Sequence, residues 1–118
     1  MPLPAELHRV RIAAKKLRYA AEFLQPGYPS LLPPIADVAT GIQDALGEAH
    51  DLDAVSQTLL SDLERTGETG DRALDGPAVA HLLRHNAERR DEALIRFRAL
   101  WSSVPTPGSV RKQLLAAT

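Results

Sequence analysis

The sequence predicts an all-α fold: an antiparallel helical bundle of three long helices with a possible short fourth helix. Three observations carry this expectation. Apolar residues recur at three- and four-residue spacing over long stretches, as they do on the buried side of a helix. Prolines and glycines gather between those stretches, where they interrupt helices. No segment alternates apolar and polar residues as a half-buried strand would. The 118 residues suit a single domain, residues 1–118, long enough to bury a core.

The first helix is expected from about Ala5 to Gln25. Pro2 and Pro4 precede it, where proline suits a helix start, and Gln25-Pro26-Gly27-Tyr28-Pro29 closes it. Val10, Ala14, Leu17, Ala21 and Leu24 supply one apolar side. The second helix follows Pro33-Pro34 and runs to about Arg65, with a stop expected near Thr66-Gly67. Ile35, Val38, Ile42 and Leu46, then Leu52, Val55, Leu59 and Leu63, form its stripe. Gly41 and Gly47 interrupt it at about 1 kcal/mol each against alanine, which points to a bend or close packing near Gly47. Glu68 to Gly76 reads as a polar loop. The third helix starts near Pro77 and reaches about Ser102. Val79, Leu82, Leu83, Leu94, Phe97, Leu100 and Trp101 form its apolar side, and His85 to Glu92 form an exposed polar middle. Ser109 to Ala117 fits a short helix capped by Ser109 or a frayed tail.

Composition narrows the function classes. There is no cysteine, so disulfides and thiolate-metal sites are excluded. No apolar run approaches the roughly 20 residues that span a bilayer, and the N-terminus lacks a signal-peptide pattern. A cytoplasmic protein without a membrane partner is the expectation. The formal net charge is −1, but arrangement matters more than the sum. Between Leu7 and Ala21 stand His8, Arg9, Arg11, Lys15, Lys16 and Arg18, with no acid among them. Most acids fall between Asp37 and Glu92.

At about 100° per residue, His8, Arg11, Lys15, Arg18, Tyr19 and Glu22 share one side of the helix, about a third of its circumference. Val10, Leu17, Ala21 and Leu24 are expected on the opposite side, with Arg9 and Lys16 flanking the stripe. Like charges on one face repel by some tenths of a kcal/mol per pair. A polyanion offsets that repulsion. Its repeating phosphates can meet cations one helical turn, about 5.4 Å, apart. Arginine offers phosphate bidentate contacts, lysine a point charge and histidine a pH-dependent donor. The competing reading is a solvated basic face neutralised by Glu48, Asp51, Asp53, Asp62 and Glu64 of the second helix. Spacing alone does not decide between them.

Other constellations are weaker. Glu48, His50, Asp51 and Asp53 could meet a divalent cation, but oxygen-rich sites usually need more converging carboxylates. The better reading is that Asp51 and Asp53 hold Arg or Lys side chains of the first helix. His81 and His85 stand one turn apart without an evident third zinc ligand, so no metal or cofactor is expected. Arg84, Arg89, Arg90 and Arg96 alternate with Glu88, Asp91 and Glu92, as on a solvent-facing helix with local ion pairs. Some of these arginines could extend a polyanion surface, as could Arg111 and Lys112. No Gly-rich nucleophile turn supports a hydrolytic triad. His8 on a helical bundle also fits a phosphotransfer domain, though so many surrounding cations suit holding phosphate better than passing it on. Nucleic acid is a further polyanion, disfavoured by an aromatic content of only 4%.

The run from Leu7 to Leu24, H-x-x-R-x-x-x-K-K-L-R-Y-x-x-E from His8 to Glu22, resembles the signature helix of CHAD domains, the conserved-histidine α-helical domains. Gln43-Asp44-Ala45-Leu46-Gly47-Glu48-Ala49-His50-Asp51-Leu52-Asp53 is similar to the family's second signature. The resemblance implies a helical bundle that binds inorganic polyphosphate without catalysis. It carries His8, Arg11, Lys15, Lys16 and Arg18 over as ligands, with Arg9 added from the helical wheel. Tyr19, Glu22, His50, Asp51 and Asp53 are expected to support them. Family members usually have two similar halves. This chain resembles one, the C-terminal half by its Lys-Leu-Arg-Tyr wording. A homodimer completing the two-half arrangement is therefore expected, and association with polyphosphate granules in the cytoplasm fits the same resemblance.

Overall fold

Helix α1 spans Ala5–Leu24 and begins where the carbonyl of Pro4 accepts the N–H groups of Leu7 at 3.0 Å and His8 at 3.3 Å. No side chain caps this end. Pro26 cannot donate to a carbonyl one turn back, so the α-helix stops before it. A single 3₁₀ turn, Gln25–Gly27, then redirects the chain. The computed structural model describes residues 4–69 and 76–104, with Gly108, Lys112, Leu115 and Ala116. Most of the expected fourth helix, Ser109 to Ala117, lies outside the described residues.

Helix α2 spans Leu32–Thr69, so it starts earlier and ends later than its glycines and prolines suggest. Pro33 and Pro34 fall in its first turn, where N–H groups have no intrahelical acceptor to lose. Gly67 does not stop it: Glu68 and Thr69, expected in a loop, are still helical, and residues 70–75 of that loop lie outside the described residues. Helix α3 spans Gly76–Ser102 and opens one residue before Pro77. At its far end the Oγ of Ser102 donates to the Ala99 carbonyl and the Oγ of Ser103 to that of Leu100.

The long α2 is the spine. Both α1 and α3 pack on it, each antiparallel to it: Ala14 joins Ile42, Ala45, Leu46 and Phe97 in one buried cluster, and Ala21 joins Leu32, Ile35 and Ala36 in another. The molecule is a rod of 69 × 21 × 21 Å. Its radius of gyration of 19.7 Å far exceeds the roughly 13 Å of a compact 100-residue domain. Helix α1 covers only the first part of α2, and beyond it α2 and α3 run on as a pair. Among the described residues there is no strand and no helix long and apolar enough to cross a membrane.

The expected apolar side of α1 is buried in part. The buried residues are Ala14 and Ala21. Val10 is half-buried, while Leu17 and Leu24 are exposed. Small alanines let the backbones of α1 and α2 approach closely. Leu17 instead lines an apolar groove with Val10, Ile35, Val38, Trp101 and Val104. Close approach also explains one of the two glycines of α2 that interrupt its stripe. A Cβ on Gly41 would meet the Leu100 Cδ1 at 2.8 Å, and one on Gly47 would stand 3.8 Å from the guanidinium of Arg11. The close packing expected near Gly47 is therefore found at Gly41, while Arg11 stands at ordinary contact distance from Gly47.

Candidate functional site

The line of Ala14 and Ala21 fixes how α1 presents its cations. Arg11 and Arg18 lie about 60° and 40° from Ala14 around the helix, and Lys15 about 100°. Arg11 and Arg18 are accordingly half-buried at the edge of the α1–α2 seam, and His8 and Lys15 are exposed. Arg9 and Lys16 are exposed and turn about 140° or more from the seam, so they point away from α2. The expected stripe of His8, Arg11, Lys15 and Arg18 therefore runs along the edge of the seam instead of opposite the buried side, with Arg9 and Lys16 as an outer pair.

The seam-facing row meets the second motif at the N-terminal end of α1. There His8 and Arg11 line a cleft of about 180 Å³ with His50, Asp53 and Gln57 of α2. His50, Asp53 and Gln57 are three and four residues apart, so one side of α2 carries all of them. Arg11 also borders a broader groove of about 510 Å³, whose floor includes Asp44, Glu48 and Asp51 and whose far wall includes Arg89. Gln57 is absent from the sequence-derived set. Its position seven residues after His50 was the signal that could have found it.

At the other end of the row, the guanidinium of Arg18 lies 4.7 Å from the ring centre of Tyr19. Its Nε is 3.8 Å from Glu22 Oε1, an i to i+4 pair partly exposed to water. The Nε is buried and makes no hydrogen bond among the described residues. Tyr19 and Glu22 thus flank the Arg18 guanidinium.

The acids of α2 are engaged elsewhere than expected. Glu48 receives hydrogen bonds from Arg96 and, at 3.2 Å, from Arg89, both on α3. The Arg96 hydrogen bond, opposed by partial desolvation and aided by the charges of Arg96 and Arg89, holds the Glu48 carboxyl below its ordinary value. Asp53 Oδ1 lies 2.7 Å from Arg90 Nε, so Asp53 holds a cation of α3, not of α1. Asp62 pairs with Arg65 within α2. Asp51 is exposed beside the broad groove. Helix periodicity places charges on faces but does not say which neighbouring helix meets each face. For the same reason Arg89, Arg90 and Arg96 do not make the local pairs with Glu88, Asp91 and Glu92 that their alternation suggests. The described residues hold no group of three or more His, Asp or Glu that could bind a metal ion.

The arrangement therefore leaves His8, Arg11, Lys15 and His50 turned toward solvent or cleft, while α3 arginines neutralise two of the nearest acids. That division suits an anion-binding surface on the His8 side, because Glu48 and Asp53, two of the acids that would cancel it, face arginines of α3. A sequence model of the CHAD domain matches residues 2–61, a stretch that contains both motifs and stops short of α3. No curated protein and no solved structure gives a match. The match takes in just over half of the chain, together with both residue runs that meet in the cleft, and the chain belongs to the CHAD domain family.

Proposed function

We propose that this protein binds inorganic polyphosphate along the seam-facing edge of α1 as a non-catalytic binding module. The observation that carries the reading is the convergence of His8 and Arg11 with His50 in one cleft, continued along α1 by Lys15 and Arg18. The row from His8 to Arg18 covers ten residue steps, about 15 Å of helix. A linear chain of phosphates matches that length better than a single anion does. The first turn of α1 adds the positive end of its helix dipole beside His8. The broader groove is a poorer track, because Asp44, Glu48 and Asp51 line it. Arg9 and Lys16, on the outer side, contribute long-range attraction more than contact.

The proposed test is calorimetric titration with polyphosphate. Lys15 is exposed, so Lys15→Glu should leave circular dichroism unchanged while weakening binding about tenfold, the equivalent of about 1.4 kcal/mol. Affinity should also fall steeply with salt, as for other protein–polyphosphate-backbone contacts. Unchanged affinity in Lys15→Glu would overturn the assignment. DNA competing as well as polyphosphate would show that the ligand class is broader. Loss of phosphate transfer from a donor kinase in His8→Ala, with polyphosphate binding intact, would favour the phosphotransfer alternative.

The same reading includes a homodimer, in which a second copy supplies the missing half of the family's two-half arrangement. Its support is the apolar surface left uncovered: Phe23 is 83% exposed, and Ile12, Leu17, Leu24 and Trp101 are each 42–53% exposed. Light scattering that shows a monomer at high concentration, with full polyphosphate affinity, would remove the dimer from the proposal. A cytoplasmic location at polyphosphate granules follows from the ligand and stands or falls with it.

A further inference from the structure

The cleft between α1 and α2 contains a group that a polyanion site would not be expected to hold. Asp53 lines it beside His8, Arg11 and His50, and its side chain is only 8% exposed. One carboxylate oxygen, Oδ1, faces Arg90 at 2.7 Å. The approach is close but poorly aligned, since Arg90 Nε makes no hydrogen bond among the described residues. The other oxygen, Oδ2, is buried and likewise has no hydrogen-bond partner among them. A buried carboxylate oxygen without a donor is costly, and native structures rarely leave one so. Its presence asks for a ligand that brings a hydrogen to this position.

Phosphates of a linear polyphosphate are of two kinds. An internal unit has one acidic oxygen, fully ionised near neutrality, and therefore offers only acceptors. A terminal unit has a second, weakly acidic P–OH, with a pKa of roughly 6 by analogy with a phosphate monoester. Placed against Asp53, an internal unit sets two anionic acceptors face to face. A terminal unit donates its P–OH to the carboxylate, while its remaining oxygens accept from Arg11, His8 and His50. Because rotation about the terminal torsion of aspartate is soft, either carboxylate oxygen can turn toward the cleft.

We propose that this cleft is a chain-end site. It takes the terminal phosphoryl group of a linear polyphosphate, and Asp53 is the specificity-determining residue that accepts the terminal P–OH. The inference rests on the polyphosphate reading above and adds a direction to it. One end of the ligand seats at His8, Arg11, His50 and Asp53, and the chain then runs along α1 past Lys15 toward Arg18.

The test compares linear tripolyphosphate with the same chain carrying a methyl ester on each terminal phosphate, titrated into the full chain at pH 6. The free-ended chain should bind about tenfold tighter, the scale of one unsatisfied charged hydrogen bond. In ³¹P spectra its terminal resonance should shift more than its internal one. In Asp53→Asn, which exchanges an acceptor for a donor, the ratio of the two affinities should approach one, whatever happens to each affinity. The wild-type comparison stands even if that variant does not fold. Equal binding of both ligands to the wild type overturns the chain-end site and leaves the polyphosphate reading intact. Binding of neither ligand, nor of long-chain polyphosphate, overturns both.

Discussion

The end of the rod that α1 covers and the end that it leaves bare are built on the same spine but by different means. Under α1, the buried positions of α2 combine large side chains, Leu32, Ile35, Ile42 and Leu46, with Ala36, Ala39, Ala45 and Ala49, and Phe97 joins them from α3. Past the start of α1, where α2 meets only α3, Leu60 and Leu82 are about half exposed. There the buried set includes Val79 and Asn86, the latter placed with its Nδ2 3.5 Å from Ser56 Oγ. Two helices share one seam and can cover a side chain from one side only. A third helix closes the other side and lets a full apolar layer form. The proposed site stands at the step between the two regimes. There α1 begins, its first cations meet α2, and burial is deep enough to enclose Asp53 without excluding a ligand.

If this contrast is right, equivalent truncations should differ in effect at the two ends. Leu46 is fully buried under α1, and Leu46→Ala should destabilise by about 3 kcal/mol, within the usual range for buried leucine. Val79→Ala, in the two-helix part, removes less apolar bulk from a thinner layer and should cost about 1 kcal/mol. Denaturant unfolding measures both. Equal losses would show that the bare end has a core as tight as the covered one, and the contrast would fail.

The sequence made most of this architecture legible, and its failures share one cause. Proline and glycine mark the start of α1 at Ala5 and place its end at about Gln25, one residue from the observed Leu24, because backbone chemistry there is local. The stop near Gly67 failed because glycine weakens a helix without forbidding it. The apolar side of α1 that periodicity marks is turned by a fraction of a turn: its small members Ala14 and Ala21 face α2 and are buried, whereas Leu17 and Leu24 stand at the edge, exposed. That shift carries Arg11 and Arg18 from an outer stripe into the seam. The partner of Asp53 was misread for a related reason: the order of helices around α2 decides whether α1 or α3 meets it. The residues of both motifs could be named from sequence, but their meeting in one cleft needed the packing.

The glycines test the contrast more finely. Gly41 lies under the covered end, where an added Cβ would press on Leu100. Alanine there gains helix propensity but displaces a packed side chain, and Gly41→Ala should cost up to about 2 kcal/mol. Gly47 lies at the step, where the new methyl would meet Arg11 only at ordinary contact distance. Gly47→Ala should therefore stabilise by about 0.5–1 kcal/mol. Thermal unfolding of the pair gives opposite signs if close packing is confined to the covered end. A stabilised Gly41→Ala would mean that Leu100 moves aside freely and that the three-helix layer is loosely packed.

The smallest effect lies at the step itself, where Glu48 fastens α3 to α2 through Arg89 and Arg96. All three side chains are substantially exposed, at 33%, 48% and 52%, so solvent screens the pairs and their joint contribution should stay near or below about 1 kcal/mol. Its pH dependence has a definite sign. The folded carboxyl titrates below its ordinary value. Its contribution is therefore complete above that value and is lost as pH falls through the lower folded one. Glu48→Gln should be slightly less stable than the wild type at pH 7, and the gap should close under acid conditions as the wild-type carboxyl protonates. It should also narrow in high salt. A gap that persists below pH about 3, well under the ordinary carboxylate range, would place the cause in packing of the side chain. The step between the two ends would then be held by shape, as the covered end is, with the charge of the clasp free to serve the neighbouring groove.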